Sequence, residues 1–322
     1  MTVSADHSAS PVTALSSALP REYVHKSAHS EVLLTGWRAV APDEYVITAQ
    51  WPRAHSFYSP DASGHHDPLL LAESVRQAIP LLSHVAYDVP FGHRQIWDTF
   101  SYSMNAEALS VGSTPADIVL RISCSGVTRR GRRLAGLTMH VTATRDGAFL
   151  GTAEARFTNQ PPAVYQRLRG SNADLDQVAA RIIPLPPPLT PRRVGRDRFH
   201  DVVLSATSST HRTQLRADIN HPILFDHPVD HAPGMLLLEA VRQAAYGCTF
   251  PRRGVLTDLE IRFFRYAELN SPCWIETTPT PDGTTAAGRL PVRVSARQNG
   301  EDVFTATATI TAAPARSLCP AL

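Results

Sequence analysis

Leu69-Leu70-Leu71-Ala72-Glu73-Ser74-Val75-Arg76-Gln77-Ala78 has a second copy in the same chain, Leu236-Leu237-Leu238-Glu239-Ala240-Val241-Arg242-Gln243-Ala244. Aligned on the glutamate, both read Glu-x-Val-Arg-Gln-Ala, 166 residues apart. A leucine-rich lead-in followed by alanines predicts helix in each case, and the first copy meets no proline before Pro80. Glu and Arg three residues apart share a helix face. An ordinary surface pair of this kind contributes a few tenths of a kcal/mol. Here the flanking residues are almost wholly apolar, which points to a helix running through a core and carrying a charged pair into a pocket. Burying such a pair is costly unless it has partners and a use.

The surrounding order of elements repeats as well. Strand-like runs Val32–Trp37 and Tyr45–Trp51 are separated by the turn Pro42-Asp43-Glu44. A loop rich in histidine and aromatic residues, 55–66, ends at Asp67-Pro68, and the helix follows over about 69–86. Strands are expected near 97–108, 117–128, 134–145 and 148–158, with a hairpin turn at Arg145-Asp146-Gly147. A proline-rich stretch then breaks the pattern, with a short helix expected at 173–183. Strands near 199–207 and 211–218, a His-rich loop 220–234 and a helix 234–248 restart it. Leu290–Ala296 echoes Leu137–Ala143, and Ala306-Thr307-Ala308 echoes Ala153-Glu154-Ala155. The chain therefore reads as α+β: a disordered 1–20, one module at 21–158, a linker at 159–196, a second module at 197–313 and a tail at 314–322. Two copies of one module in tandem would pack as an intrachain pseudo-dimer.

Bulk properties exclude some functions. A formal charge of +2 gives no polyelectrolyte case for nucleic acid. The arginines around Gly131 read as a solvated hairpin tip, with a docking patch for an acidic carrier protein as the functional alternative. Lys26 is the only lysine and lies in a polar run near the N-terminus, so a Schiff-base role is not expected. Cys124, Cys248, Cys273 and Cys319 show no CxxC spacing. No apolar run approaches the ~18 residues of a membrane span and no signal pattern opens the chain, so a cytoplasmic location is expected. No Gly-x-Gly-x-x-Gly and no Gly-x-Ser-x-Gly occur, so no nucleotide cofactor and no serine nucleophile are implied. His227 and His231 are four apart, but Pro228 and Pro233 argue against a helix through them, and no metal site is expected.

Before the second helix stands Phe225-Asp226-His227-Pro228-Val229-Asp230-His231-Ala232-Pro233-Gly234. Gly234 at a helix start lets a ligand approach the backbone, where first-turn N–H groups and the helix dipole can polarise a carbonyl. The first copy has His65-His66-Asp67-Pro68 at this place, without glycine. His-Pro…Pro-Gly-Met-Leu-Leu-Leu-Glu-Ala resembles the signature of hot-dog β-hydroxyacyl-carrier-protein dehydratases. Their histidine, however, sits about two residues further upstream than His227, which stands 12 residues before Glu239. Leu33-Leu34-Thr35-Gly36-Trp37, Ala49–His55, His66–Glu73 and Asp226-His227-Pro228-x-Asp230-His231-x-Pro233-Gly234-Met235 resemble the A-factor synthase (AfsA-like) family over about Val24 to Thr311.

That resemblance implies two tandem hot-dog domains, each a long central helix wrapped by an antiparallel sheet. It also implies an acyltransferase of actinomycete type. Such an enzyme moves a β-ketoacyl group from acyl carrier protein or CoA to a hydroxyl of dihydroxyacetone phosphate, the first step toward a γ-butyrolactone, butenolide or furan signal. The chemistry needs a base, oxyanion donors and a phosphate site. The expected assignment gives Glu73 the base and orienting role and Arg242 the phosphate or oxyanion, in one pocket between the helices. Glu239 with Arg76 is the alternative pair, His227 and His231 are further bases, Gly234 polarises the thioester, and Asp67 lies at the substrate. The stretch Tyr165-Gln166-Arg167-Leu168-Arg169-Gly170 is either a loop that brings an arginine to the phosphate or structural. Competing readings are a hot-dog thioesterase or dehydratase-like enzyme and a non-catalytic butyrolactone-binding protein. One chain as a monomer with a pseudo-dimer core, or a homodimer, would suit the repeat.

Overall fold

The computed structural model of the chain describes residues 17–252, 254–279 and 288–312. The expected disordered start falls largely outside the described residues, as do the expected tail and Cys319. By Leu19 the chain is already tied down, its N–H donating to the Leu34 carbonyl at 2.9 Å. The first half contains β1 (Leu34–Ala41), β2 (Glu44–Trp51), α1 (Leu69–Val85), β3 (Arg94–Met104), β4 (Ala116–Arg130), β5 (Arg133–Arg145) and β6 (Ala148–Gln160). After the short helices α2 (Pro162–Arg169) and α3 (Leu175–Ala179) the second half runs β7 (Leu204–Ala206), β8 (Arg212–Leu215), α4 (Gly234–Thr249), β9 (Gly254–Phe263), β10 (Cys273–Pro279), β11 (Arg289–Gln298) and β12 (Glu301–Ala312).

Among the described residues all twelve strands form one antiparallel sheet in the order β1-β2-β4-β5-β6-β3-β9-β12-β11-β10-β8-β7. Read from either edge inward, the order is the same with β7 for β1, β8 for β2, β10 for β4, β11 for β5, β12 for β6 and β9 for β3. The pseudo-dimer is thus joined at its centre by β3 and β9, with Phe100 opposite Ile261 and Tyr102 opposite Leu259. Alternation along the strands turns Leu137, Met139, Val141 and Ala143 inward on β5, and Val292, Val294 and Ala296 on β11. The two helices pack against this inner face. Nearly every residue of α1 from Leu69 to Ser83 is buried, including Glu73, Ser74 and Gln77. α4 is equally enclosed from Met235 to Ala245.

α1 runs through Pro80 to Val85, within a residue of the expected end at 86, while several other local expectations change. Its proline costs the helix a bond to the Arg76 carbonyl, and burial of Ile79, Leu81 and Leu82 around it outweighs that loss. The strand expected at 199–207 shrinks to β7, because Phe199–Asp201 closes into a 3-10 turn, and that at 211–218 shrinks to β8. In the segment between the halves the expected helix is only α3, and α2 precedes it with a proline in its first turn, where the missing N–H costs nothing.

Each helix is fastened to its sheet edge by one glutamine. The Gln77 side chain accepts from the Leu33 N–H at 2.9 Å and donates to the Glu31 carbonyl at 2.7 Å. Gln243 repeats this with the Val203 N–H at 2.9 Å and the Asp201 carbonyl at 2.7 Å. Gln77→Ala leaves a buried N–H and a buried C=O unpaired. It is expected to lower the unfolding free energy by about 2–4 kcal/mol in a urea titration, whereas a loss under 1 kcal/mol would show that the clamp is dispensable.

Candidate active site

The two helical glutamates are organised by matching sets of cations, each drawn from its own half. Glu73 Oε1 accepts from Arg76 Nε at 3.0 Å and from Gln77 Nε2 at 2.8 Å, and Lys26 Nζ lies 3.0 Å away. Arg76 also donates to the Val24 carbonyl at 3.0 Å. Burial opposes the charge on Glu73, but Arg76 and Lys26 outweigh it and hold the carboxyl below its usual range. Glu239 is held by Arg196, Nε at 2.8 Å and a terminal nitrogen at 2.6 Å, by Gln243 at 2.6 Å and more loosely by Arg242 at 3.4 Å. Lys26 and Arg196 follow equivalent 3-10 turns, Arg21–Val24 and Pro191–Val194, each ended by a residue in the left-handed conformation, His25 and Gly195.

A cavity of about 370 Å³ opens beside Glu73. From the first half it takes Lys26, Glu73, Arg76, Arg94 and Trp97; from the second it takes Asp226, His227, Asp230, His231 and Gly234. Both histidines are backed by the aspartate that precedes them. His231 Nδ1 lies 2.7 Å from Asp230, and His227 Nδ1 lies 3.2 Å from Asp226. Asp230 further accepts from the Tyr165 hydroxyl at 2.7 Å and Arg169 Nε at 3.0 Å. Although burial works against ionisation, His231, Tyr165 and Arg169 keep its carboxyl far below the usual range. Burial together with the Asp230 contact pushes the Tyr165 phenol upward. At the cavity wall, burial, His84 and Arg76 depress His25 to about 3, so its ring is neutral.

α4 begins at Gly234 with Pro233 as its N-cap, and no side chain caps it. Its first-turn N–H groups therefore face the cavity side without a capping acceptor. The Trp97 ring lies 3.7 Å from where a Cβ on Gly234 would stand. The glycine keeps that space clear of a side chain.

The pairing expected from the sequence is corrected here. Glu73 and Arg242 do not share a pocket: Glu73 lines the first cavity, and Arg242 lines a separate cleft of about 380 Å³. Each arginine instead folds back on the glutamate three residues before it and on a carbonyl of its own half, Val24 for Arg76 and Gly195 for Arg242. The alternative of Glu239 with Arg76 fails for the same reason. Asp67 is buried away from the first cavity, 3.1 Å from Arg196 and 3.7 Å from Arg242. Arg169 does not reach for a ligand, since it is sandwiched between Asp230 and Glu268, the latter at 2.5 Å.

Lys26 escaped the sequence reading because its neighbours are polar, yet it is buried against Glu73. Its signal was a second repeat, Val24-His25-Lys26…Glu31-Val32-Leu33-Leu34 against Val194-Gly195-Arg196…Asp201-Val202-Val203-Leu204. His55 and His221 form a third matched pair. Their Nδ1 atoms accept backbone N–H groups of residues 57–58 and 223–224, and their Nε2 atoms face Glu31 at 3.3 Å and Asp201 at 3.4 Å. His200, Asp201 and His221 come close enough for a metal. Because His221 Nδ1 already accepts two backbone N–H groups, its proton sits on Nε2 toward Asp201, which suits a structural contact of a neutral ring rather than a ligand set.

A family model described as the A-factor biosynthesis hotdog domain matches residues 7–160 and 178–314. The chain belongs to the AfsA family. A Streptomyces virginiae protein named 2-oxo-3-(phosphooxy)propyl 3-oxoalkanoate synthase is 46% identical over 291 residues, 90% of this chain and 96% of that protein. A Streptomyces coelicolor protein of the same name is 39% identical, covering 90% of each. Among solved structures, a Lactobacillus plantarum protein described as an oleoyl thioesterase aligns at a TM-score of 0.53 with 13% identity, covering 84% of this chain and 97% of that one. At that identity the likeness bears on fold alone, and the fold is the tandem hot-dog arrangement expected of the AfsA family. No helix among the described residues is long and apolar enough to cross a membrane.

Asp226 ties the N-terminal turn to the second half by accepting the Ser27 N–H at 2.6 Å and the Ala28 N–H at 3.1 Å. Burial resists its ionisation, but His227 and these two N–H groups bring its pKa down to about 2. A depressed carboxyl stabilises fully above its unfolded value near ~4 and loses that contribution as pH falls through the folded value. Asp226→Asn is expected to cost about 1 kcal/mol at pH 7. The gap to wild type should close between pH 4 and pH 2 when unfolding is followed by circular dichroism. A gap independent of pH would overturn this assignment.

Proposed function

We propose that the cavity beside Glu73 transfers a 3-oxoacyl group from a thioester to the primary hydroxyl of dihydroxyacetone phosphate, yielding a 2-oxo-3-(phosphooxy)propyl 3-oxoalkanoate. The observation that carries the reading is the shared name of relatives up to 46% identical over nine-tenths of the chain. The cavity chemistry supports it. Lys26, Arg76 and Arg94 gather positive charge at one side, and Arg94 has no ion-pair partner among the described residues. These groups suit a phosphate.

His231 takes the role of base. Its Nδ1 is spent on Asp230, which leaves Nε2 for the hydroxyl proton and favours the imidazolium that forms. Glu73 keeps the orienting role and gives up the basic one, because Arg76, Gln77 and Lys26 occupy its carboxylate and disfavour its protonation. The hydroxyl proton passes to His231, and the alkoxide oxygen attacks the thioester carbon. The N–H groups at Gly234 stabilise the oxyanion. The carbon–sulfur bond then breaks, and His231 returns the proton to the thiolate. His227, more exposed than His231, stands at the entrance. The donor is carried on acyl carrier protein or CoA, and a monomer in the cytoplasm suffices, since one chain supplies both walls of the cavity.

Mass spectrometry of the products made from defined 3-oxoacyl thioesters decides the reading. A phosphorylated ester should appear only when dihydroxyacetone phosphate is present; equal thioester loss with and without it, and no ester, would sink the transferase in favour of a hydrolase. His231→Ala is expected to lower kcat/KM by about 10²- to 10⁴-fold with an unchanged circular dichroism spectrum. A residual rate within threefold of wild type would remove His231 from the role of base.

A further inference from the structure

The second cleft is the pseudo-twofold mate of the first cavity. It is lined by Arg242 and Arg196 where the first has Arg76 and Lys26, and by Ser59–Ser63 where the first has the loop with Asp226 and His227. The groups that do chemistry in the first cavity are absent by sequence. With the helices aligned on their glutamates, Pro68 replaces Gly234 and has no N–H to offer an oxyanion. Gly64 replaces Asp230, so His65 loses its backing carboxylate and instead approaches Asp61 at 3.3 Å. Asp61 replaces His227, and its carboxylate is already engaged by the Ser63 and His65 N–H groups at 2.8 and 2.9 Å.

Positive charge has meanwhile accumulated. Arg192, Arg193 and Arg252 line the cleft, are exposed, and have no ion-pair partner among the described residues. Arg242 at the floor is 5% exposed, yet its Nε has no hydrogen-bond partner and approaches only Asp67, at 3.7 Å. Asp61 and Asp197 are the carboxylates that line the same cleft. Arg196 and Arg242 are shared with Glu239 and Asp67 beneath the floor, so the surplus of positive charge rests on Arg192, Arg193 and Arg252 against Asp61 and Asp197. With the Arg242 Nε left without a hydrogen bond, this describes a receptor for a compact anion with several acceptor oxygens.

We propose that this cleft binds a phosphate monoester without turning it over, seating the phosphate between Arg242 and the arginines Arg192, Arg193 and Arg252. The proposal rests on the cleft's own cations and stands even if the first cavity acts on another acceptor.

Isothermal titration of the full chain with dihydroxyacetone phosphate tests it, in wild type and in the double variant Arg193→Ala/Arg252→Ala. Both substituted residues are exposed and lie outside the first cavity. Wild type is expected to show two sites, and the double variant one, with at least a tenfold loss of affinity at the second and acyl transfer unchanged within twofold. A single wild-type site that the double variant loses would also support the cleft, while sinking dihydroxyacetone phosphate as a ligand of the first cavity. Identical isotherms in the two proteins, or no binding to either, would overturn the proposal.

Discussion

A carboxylate buried in the middle of each central helix is the constraint on which the structure depends. Glu73 and Glu239 are at most 1% exposed, and an uncompensated charge in such a place is strongly destabilising. Each half meets it with an arginine three residues along the helix, a glutamine four along, and a cation from the turn that precedes the first strand. That cation draws the N-terminal turn of each half down onto its helix. The glutamine simultaneously fixes the strand entry through Leu33 or Val203. Charge neutralisation and chain tracing are therefore one problem, solved twice with nearly the same atoms.

The two solutions differ in what faces them across the pseudo-twofold axis. Opposite Glu73 stand the uncapped start of α4 and two Asp–His pairs. Opposite Glu239 stands the start of α1, which presents Asp67 to Arg196 and Arg242 and caps its own helix through the Leu69 N–H at 3.0 Å. An internal carboxylate thus lies beside Arg196 and Arg242, and Pro233, the matching position in the other half, brings none to Lys26 and Arg76. Substituting Asp-Pro for Pro-Gly at one helix start is enough to make two equivalent cavities chemically unequal. The segment between the halves adds to the inequality, because α2 sends Tyr165 and Arg169 to Asp230 alone.

Much of this was legible along the chain. The doubled Glu-x-Val-Arg-Gln-Ala motif and the alternating strands showed two α+β modules, and the resemblance of the loop 225–235 to a known family pointed to His231 and Gly234, which line the first cavity. What remained hidden was pairing over distance. Lys26 sits among polar residues and looks solvated until the turn at His25 folds it onto Glu73, 47 positions away. Arg169 looks free until α2 docks it between two acids. The expected partnership of Glu73 with Arg242 assumed that the two helices exchange side chains, whereas each arginine closes on its own helix.

By itself the sequence determined the module, its duplication, the burial of both glutamates and the difference between Pro233-Gly234 and Asp67-Pro68. Periodicity and turn chemistry are local, so they survive in a linear reading. Tertiary structure decided which cation neutralises which carboxylate, that Asp67 reaches Arg196 and Arg242 of the other half, and that His231 and Lys26 face one cavity. Those outcomes depend on the distances set when β3 meets β9 and closes two sheets into one, and electrostatic partnership follows distance rather than position in the chain.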